Sequence, residues 1–510
     1  MPVAQWSAAL IAAALSGHAP AVAASCDSLT SLTLPHTAIT AAQLVAAGTF
    51  TLPGAGAGPN GPQFNTLPGF CRVSATLKPS ADSEIKFEVW MPAEGWNGKF
   101  QGVGNGGWSG AIGYGPLAAA LRRGYAAAST DTGHSGGSGS FALGHPEKLI
   151  DFAWRAVHEM TVQAKAIVAA FYGNGARLSY WTGCSSGGKQ GLMEAQRFPG
   201  DYDGIVAGAP ANFWTHLMAS GMWIGQATLK DPASYIPKEK YPAVHKAALE
   251  ACDALDGLKD GLIQDPARCH FDPKSLLCAG DDGPACLTAP QVEAAKKIYA
   301  GPTNPRTGKG IFPGLEPGSE LGWAAMAGGP DAFPITADHF KYVVFKDPKW
   351  DFKTLDFDRD VDLADTLDHV DGGLLNATDP NLNAFVARRG RLLLYHGWND
   401  PLIAPENTVN YYKSVEAAMG AATKSADAVR LFMVPGMGHC AGGEGPNSFD
   451  ALTAVEQWVE NGKAPAEIVA SHLTGGVVDR TRPLCPYPQV AQYNGIGSTD
   501  AAASFVCKVP

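Results

Sequence analysis

"RLSYWTGCSSGGKQGLMEAQRF", residues 177–198, runs from a short strand-like apolar segment through a glycine-bracketed turn into a helical pattern. At its centre, Gly183-Cys184-Ser185-Ser186-Gly187 fits G-x-S-x-G, whose small flanking residues tolerate a sharp strand-to-helix turn that lifts the middle hydroxyl above a sheet. Ser185 is therefore the candidate nucleophile. An ordinary Gly/Ser turn uses the same residue types; the strand before and the helix after are what favour the elbow. The same geometry sets the Ser186 N–H at a helix N-terminus, where it can meet charge developing on an oxygen.

Outward from this turn, strand patterns at 84–92, 99–107, 124–134, 203–210, 391–397 and 429–436 alternate with helical patterns at 146–173 and 188–198. Strands alternating with helices predict the α/β class, with a mainly parallel sheet covered on both faces. At 510 residues and 45% hydrophobic, the chain exceeds what one core requires. Between Ala211 and about Phe385 the composition shifts to prolines, glycines and aromatics, over a length too great for a loop. The expected organisation is a core in two parts, 25–211 and 386–510, with an inserted lid domain at 212–385.

A serine hydroxyl is a poor nucleophile until a histidine takes its proton, and the histidine needs an acid to orient it. In α/β-hydrolases the chain order is Ser, then Asp or Glu, then His, each after a strand. "YHGWNDPLIAP" (395–405) puts Asp400 just past one strand, and "VPGMGHCAGG" (434–443) puts His439 just past another. Asp400 also reads as a turn aspartate before proline, and His472 is a weaker rival to His439. His158, inside a helical pattern, reads as a packing or surface residue. The second oxyanion donor is expected from "GVGNGGWSG" (102–110), at Gly106 or Gly107. Cys184 precedes Ser185 and Cys440 follows His439, so a hydrogen-bonded serine and histidine would bring these cysteines within disulfide reach.

The net charge of −10 comes without a basic run, which removes the footprint that nucleic-acid binding requires. Residues 1–24 read as an export signal ending in small residues, though without a basic start. No other segment has the length of uninterrupted apolar residues that a membrane span needs, so no membrane partner is expected. Ten cysteines follow: Cys26, Cys71, Cys184, Cys252, Cys269, Cys278, Cys286, Cys440, Cys485 and Cys507. A secreted or periplasmic setting favours pairing all of them, and zinc is disfavoured because no ligand set has metal spacing. In "CDALDGLKDGLIQDPARC" (252–269), Asp253, Asp256 and Asp260 alternate with glycines, a hard-oxygen pattern suited to Ca²⁺ or equally to a solvated acidic loop.

"GCSSGGKQGLMEAQRFPGDYDGIVAGAPA" (183–211), "HGWNDPLIAP" (396–405) and "PGMGHCAGG" (435–443) together resemble the tannase and feruloyl esterase family. The resemblance implies an α/β-hydrolase core with a lid, a Cys-Ser, Asp, His-Cys signature with its cysteines bridged, and hydrolysis of aromatic carboxylic esters without a redox cofactor. The family includes a hydrolase of mono(2-hydroxyethyl) terephthalate, so feruloyl, other hydroxycinnamoyl, galloyl and terephthalate monoesters stay open. It also implies a structural calcium remote from the chemistry, with backbone oxygens of Leu258 and Leu262 joining the three aspartates in a loop closed by Cys252 and Cys269. His396 and Ile403 are implied to approach the acyl site. Aromatic segments at 212–225 and 331–352 could cover a planar ring, although each such residue is more readily lid core. A serine peptidase on the same fold and a non-catalytic secreted binding protein are the rival readings.

Overall fold

The computed structural model describes residues 24–53, 61–369, 373–420 and 427–510. The expected export signal at 1–24 lies, but for Ala24, outside them. Nine strands form one sheet: β1 (Thr37–Val45), β2 (Phe70–Leu77), β3 (Ile85–Pro92), β4 (Lys99–Val103), β5 (Ala126–Thr130), β6 (Leu178–Cys184), β7 (Gly204–Gly208), β8 (Arg391–Gly397) and β9 (Val429–Val434). Their spatial order is β1-β2-β3-β5-β4-β6-β7-β8-β9. Pairing is antiparallel from β1 to β5 and parallel from β5 to β9.

Side-chain alternation divides this sheet between two apolar layers, as a period of two dictates. Ala126, Ala128, Ile205, Ala207, Leu392 and Leu394 join the layer under helices Ala156–Tyr172, Ser186–Arg197 and Glu406–Met419. Ala127, Val206 and Leu393 join the opposite layer, under helices Tyr114–Arg122 and Ala451–Asn461. Burial on both faces is why these strands read as continuous apolar runs.

The helical pattern at 146–173 resolves into Pro146–Ile150, a π-helical turn Asp151–Arg155, and Ala156–Tyr172. Asp151 is fully buried there, taking hydrogen bonds from Ser83 and Arg155.

Between β7 and β8 the described residues contribute no strand to the sheet. They form helices, among them Trp214–Leu229, Tyr241–Cys252, Ala289–Ala300 and Arg359–Asp368, around a core of their own that includes Met222, Val244, Ile298 and Trp323. After the sheet come two hairpins, β10 (Ile468–Thr474) with β11 (Val477–Leu484) and β12 (Val490–Tyr493) with β13 (Phe505–Lys508). All ten cysteines are paired: Cys26–Cys71, Cys184–Cys440, Cys252–Cys269, Cys278–Cys286 and Cys485–Cys507.

Candidate active site

β6 ends at Cys184, a helix begins at Ser186, and Ser185 between them holds φ 62° and ψ −122°. For a non-glycine residue this is a strained conformation, held here because the surroundings leave no other. The Ser185 N–H donates to Gly208 O at 2.9 Å, and its carbonyl accepts from Ala211 N at 3.1 Å. The turn is so tight that a Cβ on Gly183 would lie 2.4 Å from Gly187 O, and one on Gly104 2.5 Å from Gly187 Cα. Ser186 Oγ donates to Gly107 O at 2.9 Å, tying the first turn of the helix after Ser185 to the loop after β4.

Asp400 follows β8 and is fully buried. Its Oδ1 accepts from Leu402 N (2.8 Å) and Ile403 N (3.0 Å). Its Oδ2 accepts from His439 Nδ1 (2.7 Å) and His396 Nε2 (2.9 Å). Burial alone would push this carboxyl up, but the two imidazoles and their hydrogen bonds hold it well below the usual carboxylate range. Donation from Nδ1 leaves His439 Nε2 free to take a proton. Ser185 and His439 line one cavity, and their neighbours Cys184 and Cys440 are bridged with Cα atoms 5.9 Å apart. Among the described residues no hydrogen bond yet joins the Ser185 hydroxyl to the imidazole, a contact that commonly tightens only when substrate binds.

His396 differs from expectation. It lies on β8 with the parity of Leu392 and Leu394, so it points beneath helix Glu406–Met419 rather than into the cavity. There its Nε2–H donates to Asp400 and to Ile403 O, while Nδ1 accepts from Thr408 Oγ1 at 2.7 Å. It steadies the acid from behind. Ile403 does line the cavity, as do Ser186, Gly106 and Gly107.

The cavity, about 370 Å³, has an otherwise apolar wall built by the helical insertion. Trp214, Leu217 and Met218 come from the segment 212–225, Phe333, Ile335 and Thr336 from 331–352, and Met326 from between them. Met326 carried no signal in the sequence, since one apolar residue in an apolar region marks nothing. Among the described residues His439 is the only titratable group in the lining.

In the 252–269 loop, Asp253 accepts from the N–H groups of Asp260 and Gly261, and Asp256 from that of Leu258. Asp260 Oδ2 pairs with Arg482 at 2.8 Å, while its Oδ1 is buried with no partner. Burial raises the Asp256 carboxyl, and repulsion from Asp260 and Asp253 adds to this. The Asp260 Oδ1, buried without a partner among the described residues, is the oxygen of this loop that a hard cation would take. Leu258 and Leu262 stand in the same loop, which Cys252–Cys269 closes. The other histidines raised by the sequence are engaged elsewhere, His472 with Asp479 and His158 with Asp201, each at 2.7 Å.

Residues 71–508 match the family described as tannase and feruloyl esterase. An uncharacterized esterase of Xanthomonas campestris pv. campestris is 42% identical over 95% of this chain and 91% of its own length. A probable feruloyl esterase B-1 of Aspergillus fumigatus is 35% identical over 86% of this chain and 85% of its own. The crystal structure of feruloyl esterase B from Aspergillus oryzae superposes with a TM-score of 0.89 at 30% identity, covering 95% of this chain and 99% of that one. Together with the α/β-hydrolase fold, these likenesses show that the chain belongs to the tannase and feruloyl esterase family and is a carboxylic ester hydrolase of that type.

Proposed function

We propose that this protein is an exported serine esterase that cleaves hydroxycinnamoyl esters such as feruloyl esters through an acyl-enzyme. His439, oriented by Asp400, takes the Ser185 proton as the hydroxyl oxygen attacks the ester carbonyl. The N–H of Ser186 and that of Gly106 or Gly107 receive the oxyanion. The alcohol leaves with the proton from His439, and a water deprotonated by the same histidine releases the aromatic acid. The observation that carries this reading is the meeting, on one cavity floor, of a strained serine elbow and a histidine already bonded to a buried carboxylate.

The cavity walls support this choice of substrate. A cinnamoyl group is planar and mostly apolar, matching a lining without a charged side chain among the described residues. A galloyl ring would bury three hydroxyls, and a terephthalate monoester a carboxylate, against the same apolar surface. The helical insertion acts as the lid. A structural Ca²⁺ belongs to the same proposal, held by Asp253, Asp256, Asp260 and the carbonyls of Leu258 and Leu262; it would brace the lid and take no part in the chemistry. Export through residues 1–24 is supported by five disulfides, which form and persist in oxidising compartments.

The test is a panel of methyl ferulate, methyl p-coumarate, methyl gallate and mono(2-hydroxyethyl) terephthalate. The two cinnamates are expected to have the highest kcat/KM. A preference for gallate or the terephthalate would overturn the acyl assignment while leaving the serine mechanism standing.

A further inference from the structure

Lys189 stands one turn into the nucleophile helix, its N–H donating to the Ser185 carbonyl at 3.0 Å. Its side chain is fully buried, and its Nζ has no hydrogen-bond partner among the described residues. An unpaired amine is among the costliest groups to bury, so what surrounds it matters. Nζ sits 4.7 Å from the ring centre of Phe152 and 4.7 Å from that of Trp214. Burial lowers its pKa to about 7, with Asp368 acting weakly in the other direction.

Trp214 lines the acyl cavity, yet its own Nε1 is buried without a partner. No hydrogen bond fixes that ring, which contrasts with neighbouring Trp108, whose Nε1 donates to Ile335 O at 2.8 Å. Packing must therefore set its orientation: Trp108 meets it edge-on at 4.7 Å, and Lys189 lies at the same distance from its ring centre.

We propose that Lys189 is a positioning residue that holds Trp214 in the cavity wall, linking the nucleophile helix to the first helix of the insertion and setting how tightly a planar acyl group is bound. This rests on the aromatic-ester reading of the cavity. Lys189 touches no reacting atom; it acts through the indole.

The experiment compares unaltered enzyme with Lys189→Met, Lys189→Arg, Trp214→Leu and the Lys189→Met/Trp214→Leu double variant, on methyl ferulate and p-nitrophenyl acetate. Lys189→Met is expected to raise KM for methyl ferulate about tenfold with kcat within about threefold, the signature of lost binding rather than lost chemistry. The ratio of kcat/KM for the aryl ester to that for the acetate falls by a similar factor. Lys189→Arg, which places a guanidinium cation against the rings, recovers most of that ratio. In the Trp214→Leu background Lys189→Met should add less than about twofold, since residues acting through one contact are not additive. Equal losses on both esters, or fully additive effects, would overturn the proposal. Should Lys189→Met fail to fold, Lys189→Leu takes its place in the cycle under the same criteria. Hydrolysis of methyl ferulate by the unaltered enzyme is measured first and tests the substrate reading alone; if another aryl ester is preferred, it takes that place in the cycle.

Discussion

The two sides of the cavity are made on opposite terms. On the sheet side, Ser185 and Cys440 hold φ of 62° and 66°, and Gly104 and Gly183 approach backbone that leaves no room for a Cβ. On the insertion side, Leu217, Met218, Met326 and Phe333 supply only volume and apolarity. Bond-making demands fixed positions, and few residue types satisfy them. Enclosure demands filled space, and many combinations provide it.

The sharpest way to break this contrast is Ser185→Ala. It should lower kcat by about 10⁴- to 10⁶-fold with little change in melting temperature, because a methyl group fits the elbow but cannot attack. Substantial turnover by well-folded variant would remove Ser185 from its role. Replacing Cys184 and Cys440 together with alanine should cost about 10²-fold in kcat, the scale of an ångström-size misplacement of a catalytic group. The bridge also spans 256 residues, for which chain entropy gives about 5.5 kcal/mol of stability before any native strain. A variant that loses stability but keeps its kcat would show the bridge to be a staple alone. On the other side, Phe333→Ala should raise KM for aryl esters about tenfold while sparing kcat; matching losses in both would place the wall in the chemistry.

Two weaker effects test how the sides are joined. His245, on the insertion helix Tyr241–Cys252, donates to Glu320 and to Glu444, which lies four residues past Cys440. Burial alone would lower its pKa, but the two carboxylates raise it to about 9. A raised folded pKa stabilises fully below the unfolded value near 6.5, and that contribution is lost as pH rises through about 9. Stability should fall by on the order of 2 kcal/mol across this window, and His245→Gln should flatten the decline; an unchanged slope would dismiss the linkage. Chelation of Ca²⁺ should lower the melting temperature by roughly a few degrees with catalysis at low temperature intact. Identical melting with and without chelator would remove the ion.

Much of the sheet side could be read directly from the chain. Strands buried on both faces announce themselves, as "RLLLYHG" and "DGIVAGAP" do, and the constraints at Ser185 leave a glycine signature. β1 and β2 went unread because their exposed or half-buried positions interrupt the apolar pattern, and β10 and β11 because Leu473, Val477 and Val478 face solvent. His396 was misplaced for a different reason: the resemblance implied that it approaches the acyl site, but on β8 it shares the face of Leu392 and Leu394. The walls were legible only as segments, since a phenylalanine in a pocket and one in a core are the same letter.

The bridge between Cys184 and Cys440 also dates the active centre in the life of the molecule. During synthesis the serine turn emerges long before the loop that carries the histidine, and the helical insertion fills much of the chain between them. Contacts so distant along the chain close late, after the nearer ones have formed. The site can therefore be complete only once β9 lies beside β8 and carries its loop to the elbow.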